Sequence, residues 1–249
     1  MLKPVERQRV ADEIVEQLRA LILTGQYRPG AKLPPERELA RTLAVNRASL
    51  REALKKLEHM GLVRIRQGDG TRVENFMETA GLELVAHLVP LGQSAYPDII
   101  RDALEFRRMV AREVARLAAG RVEPDDLERL EKIALRAAAP GIDPAEVFAH
   151  DFDFYMALTA IARNRVVSLL VNTVREAIKA YTGILMHVIV DPEFVRSHHE
   201  QLLAALEHRD ADAAVAVVDD YMERGSQHVL RLVDEGRIGV PHAEARWQR

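Results

Sequence analysis

Residues 33–63, LPPERELARTLAVNRASLREALKKLEHMGLV, decide how the front of the chain is read. Pro35 suits the first turn of a helix, because its ring presets the helical φ and its missing N–H needs no partner there. The spacing predicts a short helix from Glu36 to Leu43. A brief break, Ala44-Val45-Asn46, leads into another helix. Asn46 can cap that helix by accepting from the backbone N–H groups of its first turn. Leu50, Leu54 and Leu57 then share one face, and Gly61 ends the helix. A helix of this kind packs its apolar face on its predecessor and offers its N-terminal residues to base edges. Leu50 is expected to face inward, with Asn46, Arg47, Ser49 and Arg51 outward. Arginine can form two hydrogen bonds to guanine O6 and N7, and serine can reach phosphate or a base. Arg37 lies near the start of the preceding helix, where such a helix meets the DNA backbone.

Upstream, Val10, Ile14, Leu18 and Leu21 recur at helical spacing between Val5 and Thr24. Downstream, LVRIR and TRVEN flank QGDG and read as two short strands around a tight turn. The order is helix, helix, turn, helix, hairpin, so residues 1–73 are expected to form a winged helix-turn-helix. Everything after the wing is helical in pattern, and the fold class is mostly α. Residues 74–95 read as a linker helix, 96–236 as an all-α bundle of about seven helices, and 237–249 as a loose tail. Asp143-Pro144 and Asp191-Pro192 each read as an N-cap followed by proline at the first helical position. Helices are expected at 144–162, from Asn164 to about His187, at 192–208, and from Asp210 to about Asp234.

The chain has 249 residues, 48% hydrophobic and 29% charged, enough for one large domain or two modest ones. No apolar run reaches the length of a membrane span. It has no cysteine, which excludes disulfides and thiolate chemistry, and a cytoplasmic location is expected. Charge is unevenly placed. Residues 1–73 carry 15 Lys+Arg against 9 Asp+Glu, a net of +6, leaving 20 against 29, a net of −9, for the remainder. A basic front end on an acidic body points to a polyanion partner for the front end. No glycine-rich phosphate loop, GxSxG elbow or HExxH occurs. Asp151 and His199 offer an acid–base pair for an enzyme centre, but a DNA-binding front end argues against an enzyme.

The stretch at 33–63, within residues 5–73, resembles the DNA-binding signature of the GntR superfamily of bacterial transcription regulators. The resemblance implies that Arg37, Arg47 and Arg51 contact operator DNA, with Asn46, Ala48 and Ser49 at the other contact positions. It also implies that wing residues Gln67, Gly68 and Asp69 reach the minor groove. Asp69 departs from the pattern, because a carboxylate at the wing tip repels phosphate. A palindromic double-stranded operator implies a homodimer.

EFRRMVAREVARLAA, DFDFYMALTAIARN and HHEQLLAALEHRDADAA resemble the FCD effector domain of the FadR subfamily. Many such domains hold a metal with an Asp and three histidines. Here Asp151 and His199 match, whereas Tyr155 and Tyr221 stand where histidines are usual, so no metal site of the usual kind is expected. His198 and His150 are expected to face solvent. The resemblance to FadR proteins extends to VENFMETAGLELVAHLVPL, which carries the N-F-x-E-T-x-G-L pattern, and implies a long-chain acyl-CoA effector. Met222 and Val229 stand where FadR proteins carry a glycine and a tryptophan. The second reading is a small carboxylate effector, with residual metal at Asp151 and His199. Arg107 matches an arginine that many FCD domains aim into the pocket; an acidic effector or Asp151 could partner it, or it could pair on the surface with Glu105. Tyr155, Tyr181 and Tyr221 could line an amphipathic cavity or serve as ordinary core.

Overall fold

The computed structural model describes residues 7–91, 96–139, 141–180 and 191–237. The chain divides into two compact units between Leu84 and Val85.

In the first unit, α1 (Arg7–Leu23), α2 (Glu36–Thr42) and α3 (Arg47–His59) are followed by β1 (Val63–Arg66), β2 (Gly70–Val73) and a single turn, α4 (Phe76–Thr79). The apolar stripe of α1 is turned from the expected one. Ala11, Ile14, Val15, Leu18 and Ile22 are buried, whereas Val10 is exposed and Leu21 only half-buried. Asn46 caps α3 as expected, its side chain accepting from Ser49 N at 2.8 Å. Leu50, Leu54 and Leu57 are buried, and they pack the helix on α1 and α2. Gly61 follows with φ +71°, a left-handed geometry that favours glycine. A Cβ at Gly61 would lie 2.3 Å from the Thr79 carbonyl oxygen, so α4 can dock there only because residue 61 has no side chain.

The wing strands pair antiparallel with Val63 opposite Val73 and Ile65 opposite Thr71. Residues 30–33 add a third edge through Gly30 N to Val73 O at 2.8 Å and Leu33 N to Thr71 O at 2.9 Å. Glu58 of α3 accepts from Ile65 N at 2.7 Å, tying the wing to the helix before it. The expected linker helix is broken. After α4 come a 3₁₀ turn at Leu82–Leu84, α5 (Val85–Leu88) and another 3₁₀ turn at Val89–Leu91.

The second unit continues with α6 (Ile99–Ala119), α7 (Pro124–Ala137), α8 (Pro144–Ile161), α9 (Arg165–Ala180), α10 (Pro192–Glu207) and α11 (Ala211–Asp234). Asp143, Asp191 and Asp210 cap α8, α10 and α11 by accepting from Ala145 N, Glu193 N and Ala213 N. Asn164 caps α9, accepting from Val166 N at 3.0 Å. The core is built from α6, α7, α8, α10 and α11, with Phe154, Leu158, Leu130, Leu202 and Val218 fully buried. Among the described residues no helix is long and apolar enough to cross a membrane.

Candidate functional site

Among the described residues, the candidate functional site has two parts. The first is the N-terminal end of α3 with the residues beside it. Arg37, Asn46, Arg47, Ala48 and Arg51 are all exposed. Ser49 is not: it is buried on the inner side of α3, a correction to the outward placement expected for it. The cause is helical phase. With Leu50 turned fully inward, residue 49 falls at the edge of the same apolar face. Arg51 donates Nε to Glu36 Oε2 at 2.8 Å, linking α3 to the first residue of α2.

Gln67 and Gly68 form the exposed wing tip, and Gly68 has φ +84°. Asp69 does not face outward as a lone negative charge. It accepts from Arg72 Nε at 2.8 Å and Nη2 at 3.2 Å, and from Lys32 Nζ at 3.3 Å. The hydrogen bonds from Arg72 and Lys32 hold its carboxyl down at about 2. The side chain that departs from the family pattern therefore braces the turn.

The second place is a cavity inside the helical unit, between α6, α8, α9 and α11. Its volume is about 100 Å³, or about 770 Å³ with its open mouth counted. Phe148, Phe152, Tyr155 and Thr159 face it at helical spacing along α8; Phe106, Val110 and Val114 do so along α6. Met222 of α11 and Val171 of α9 complete an apolar wall. The polar groups are few: Arg107, Asp151, Tyr155, Thr159 and Arg175. Arg107 forms no ion pair with Asp151 or Glu105, and its Nη1 is buried without a hydrogen-bond partner.

Behind this wall lies a buried aromatic and imidazole stack. Asp151 Oδ1 lies 3.0 Å from His199 Nε2, and His199 stacks on Phe154 with ring centroids 4.1 Å apart. Burial alone would raise the Asp151 carboxyl. The His199 hydrogen bond and the fields of His199, His198 and Arg107 outweigh it and pull the group below its ordinary value. His198 was expected in solvent but is buried. It stacks on Tyr221 at 3.8 Å, and its Nε2 shares a 2.9 Å hydrogen bond with the Tyr155 hydroxyl. Desolvation pushes it down to about 3, so it stays neutral. His150, also expected in solvent, is half-buried, with Nδ1 enclosed and unpartnered. Desolvation and the Asp151 carboxylate raise Tyr155 and Tyr221 well above the usual phenol range. The Tyr221 hydroxyl makes no hydrogen bond of good geometry, but Asp151 lies near enough to raise it through its charge and a weak hydrogen bond.

Of the residues expected at the effector site, Arg107, Asp151 and Tyr155 line the cavity, while His199 and Tyr221 stand outside its lining. His199 touches it through Asp151. Tyr181 lies outside the described residues. Sequence reasoning missed the Phe106, Phe148 and Phe152 lining and the His198 role. The aromatic spacing in FAHDFDFY carried a signal for the former, but none marked His198 over His199. The side chains do not suit the metal that the domain resemblance suggests. The two tyrosines keep their protons at neutral pH, and His199 Nε2 is engaged by Asp151. Among the described residues no group of three His, Asp or Glu could hold a metal ion.

Comparison with known proteins agrees with this architecture. Residues 10–73 match the model of bacterial regulatory proteins of the gntR family, and residues 102–224 match the FCD domain. The HTH-type transcriptional regulator Mce2R of Mycobacterium tuberculosis is 34% identical over 93% of this chain and 96% of its own length. The fatty acid metabolism regulator protein of Erwinia tasmaniensis is 30% identical over 83% of this chain and 85% of its own. The Uxu operon transcriptional regulator of Escherichia coli is 30% identical over 93% and 91%. With both units accounted for and full-length relatives that are transcription regulators, the chain belongs to the gntR family of bacterial regulatory proteins, in the branch that carries an FCD domain.

Proposed function

We propose that this protein is a cytoplasmic, ligand-responsive transcription regulator. It grips a palindromic operator as a homodimer and loosens that grip when an acyl ligand, long-chain acyl-CoA first, enters the cavity of the helical unit. Arg37, Asn46, Arg47, Ala48 and Arg51 contact the DNA, with Gln67 and Gly68 of the wing beside the minor groove. Two-fold symmetry places two recognition helices about one DNA turn apart. Ligand can change DNA affinity only by binding one arrangement of the protein better than another.

The observation that carries the ligand assignment is the unpartnered Arg107 Nη1 at a chiefly apolar wall. A buried donor without an acceptor favours a ligand that brings one. Three lining groups carry charge, Arg107, Arg175 and Asp151, and the rest of the wall is chiefly apolar, which suits a ligand that joins a hydrogen-bond-accepting carbonyl to an apolar chain. The similarity to a protein named fatty acid metabolism regulator supports the same choice. On α6, Arg107 meets the cavity while Arg108 grips Asp219 of α11 with bonds of 2.6 and 2.7 Å. A ligand that draws on Arg107 therefore works on the α6–α11 packing.

One observation favours a small organic acid instead: a cavity of about 100 Å³ is small beside the roughly 300–1,000 Å³ of drug-sized pockets. Native mass spectrometry of the purified protein, before and after adding palmitoyl-CoA, tests the assignment. A retained acyl-CoA supports it. A retained small acid, or no mass shift with excess acyl-CoA, contradicts it.

A further inference from the structure

The three arginines assigned to the DNA face are not held alike. Among the described residues, Arg37 and Arg47 carry no ion pair or side-chain hydrogen bond. Arg51 is anchored. Its Nε donates to Glu36 Oε2 at 2.8 Å, joining α3 to the N-terminal residue of α2. The carboxylate is the more sheltered partner, at 33% side-chain exposure against 65% for the guanidinium.

The chemistry of a guanidinium makes this arrangement selective. Arginine has five N–H donors in a rigid planar fork. A carboxylate that takes the Nε edge fixes the plane of the fork and leaves the two terminal nitrogens directed away from it. Two parallel donors on one plane match the O6 and N7 acceptors of a guanine in the major groove. An unanchored arginine can swing to a phosphate, which positions the protein but carries no sequence information. Glu36 itself, a negative charge beside the DNA face, is repelled by phosphate and adds nothing to non-specific attraction.

We propose that Glu36 is a positioning residue for DNA reading: it buttresses Arg51 so that its terminal nitrogens read a guanine edge and do not settle on the backbone. This rests on the assignment of Arg51 to the DNA face made above, which fails separately. Glu36 makes Arg51 a specificity-determining residue, while Arg47 and Arg37 retain the freedom to follow the backbone.

The test selects bound sequences from a randomised duplex library with the full-length chain, as wild type, Glu36→Gln, Glu36→Ala and Arg51→Ala. It then measures dissociation constants for the selected duplex and for single-base variants of each half-site, at several salt concentrations. Wild type should prefer guanine at one position of each half-site that Arg51→Ala no longer distinguishes. At that same position, both Glu36 variants should lose guanine discrimination by roughly tenfold. At the other positions their preferences should stay unchanged, and their affinity for unrelated duplex should stay equal or rise. A fold defect would weaken every position together, which circular dichroism melting of each variant detects independently. Unchanged discrimination in both Glu36 variants, with Arg51→Ala impaired, overturns the buttress. If Arg51→Ala also changes nothing, the assignment of Arg51 to the DNA face falls, and the buttress with it.

Discussion

Replacing Arg107 by methionine should make the ligand-free protein more stable while removing its response to ligand. Arg107 Nη1 is buried with no hydrogen-bond partner, in a wall made chiefly of apolar side chains. An unmet buried donor costs about 1–3 kcal/mol, more if charged. Methionine has a flexible apolar stem that can fill the same wall. One effect opposes the gain: Arg107 helps keep Asp151 ionised, but it is the smallest of the favourable influences on that carboxylate, behind His199 and His198. A net gain of about 1–2 kcal/mol follows, allowing for that offset. For a unit of this size that corresponds to a rise in Tm of roughly 2–8 °C. Differential scanning calorimetry of ligand-stripped protein, following the transition of the helical unit, reads the effect. Saturating palmitoyl-CoA should raise the wild-type Tm by mass action and leave Arg107→Met unmoved. A variant that melts lower than wild type, or that keeps the ligand-induced rise, refutes the reasoning.

The helical unit should also be acid-sensitive. His198 is neutral in the fold, pushed down to about 3, whereas an unfolded histidine titrates near 6.5. The unfolded state therefore takes up a proton that the fold refuses, and stability falls as pH drops from about 6.5 toward 3. Asp151, held below its ordinary value, contributes stability present above about pH 4 that is lost as pH falls through its folded pKa. His198→Phe should flatten the melting profile between pH 6.5 and 5, and an unchanged slope would count against this. Gly61→Ala places a Cβ on the Thr79 carbonyl in a left-handed backbone and should cost at least about 2 kcal/mol of the DNA-binding unit's stability by thermal melting. An effect below half that size would mean that α4 does not dock on Gly61 in solution. Asp69→Asn frees Arg72 and Lys32 from the wing brace and should strengthen binding to unrelated duplex, steepening its salt dependence by about one charge. Weaker binding at every salt concentration would show that the brace itself supports DNA contact.

Local rules made most of the first unit legible. Asn46 caps α3, Leu50, Leu54 and Leu57 are buried, and Gly61 terminates the helix, because each depends on a single residue and its near neighbours. The aspartate and proline pairs that open α8 and α10 work in the same way. What escaped the sequence depends on contacts between distant segments. Ser49 and the exact face of α1 hinge on a rotation of a fraction of a turn, which packing sets and spacing leaves open. Asp69 looked repulsive because the two cations that neutralise it stand 3 and 37 residues away. His198 and His199 are neighbours with identical local signals. Both are buried, but one pairs with Asp151 and the other with Tyr155, each on a different turn of α8. The cavity shows in sequence only as an aromatic row; its unpartnered arginine emerges only in three dimensions.

The most direct measurement is fluorescence anisotropy of a labelled operator duplex bound by the full-length protein, titrated with palmitoyl-CoA and, in parallel, with a series of small organic acids. Wild type should release the duplex as palmitoyl-CoA is added, and Arg107→Met should hold it throughout. Operator affinity that ignores every ligand in the wild-type protein, or an Arg107→Met protein that releases DNA as readily, would contradict the account.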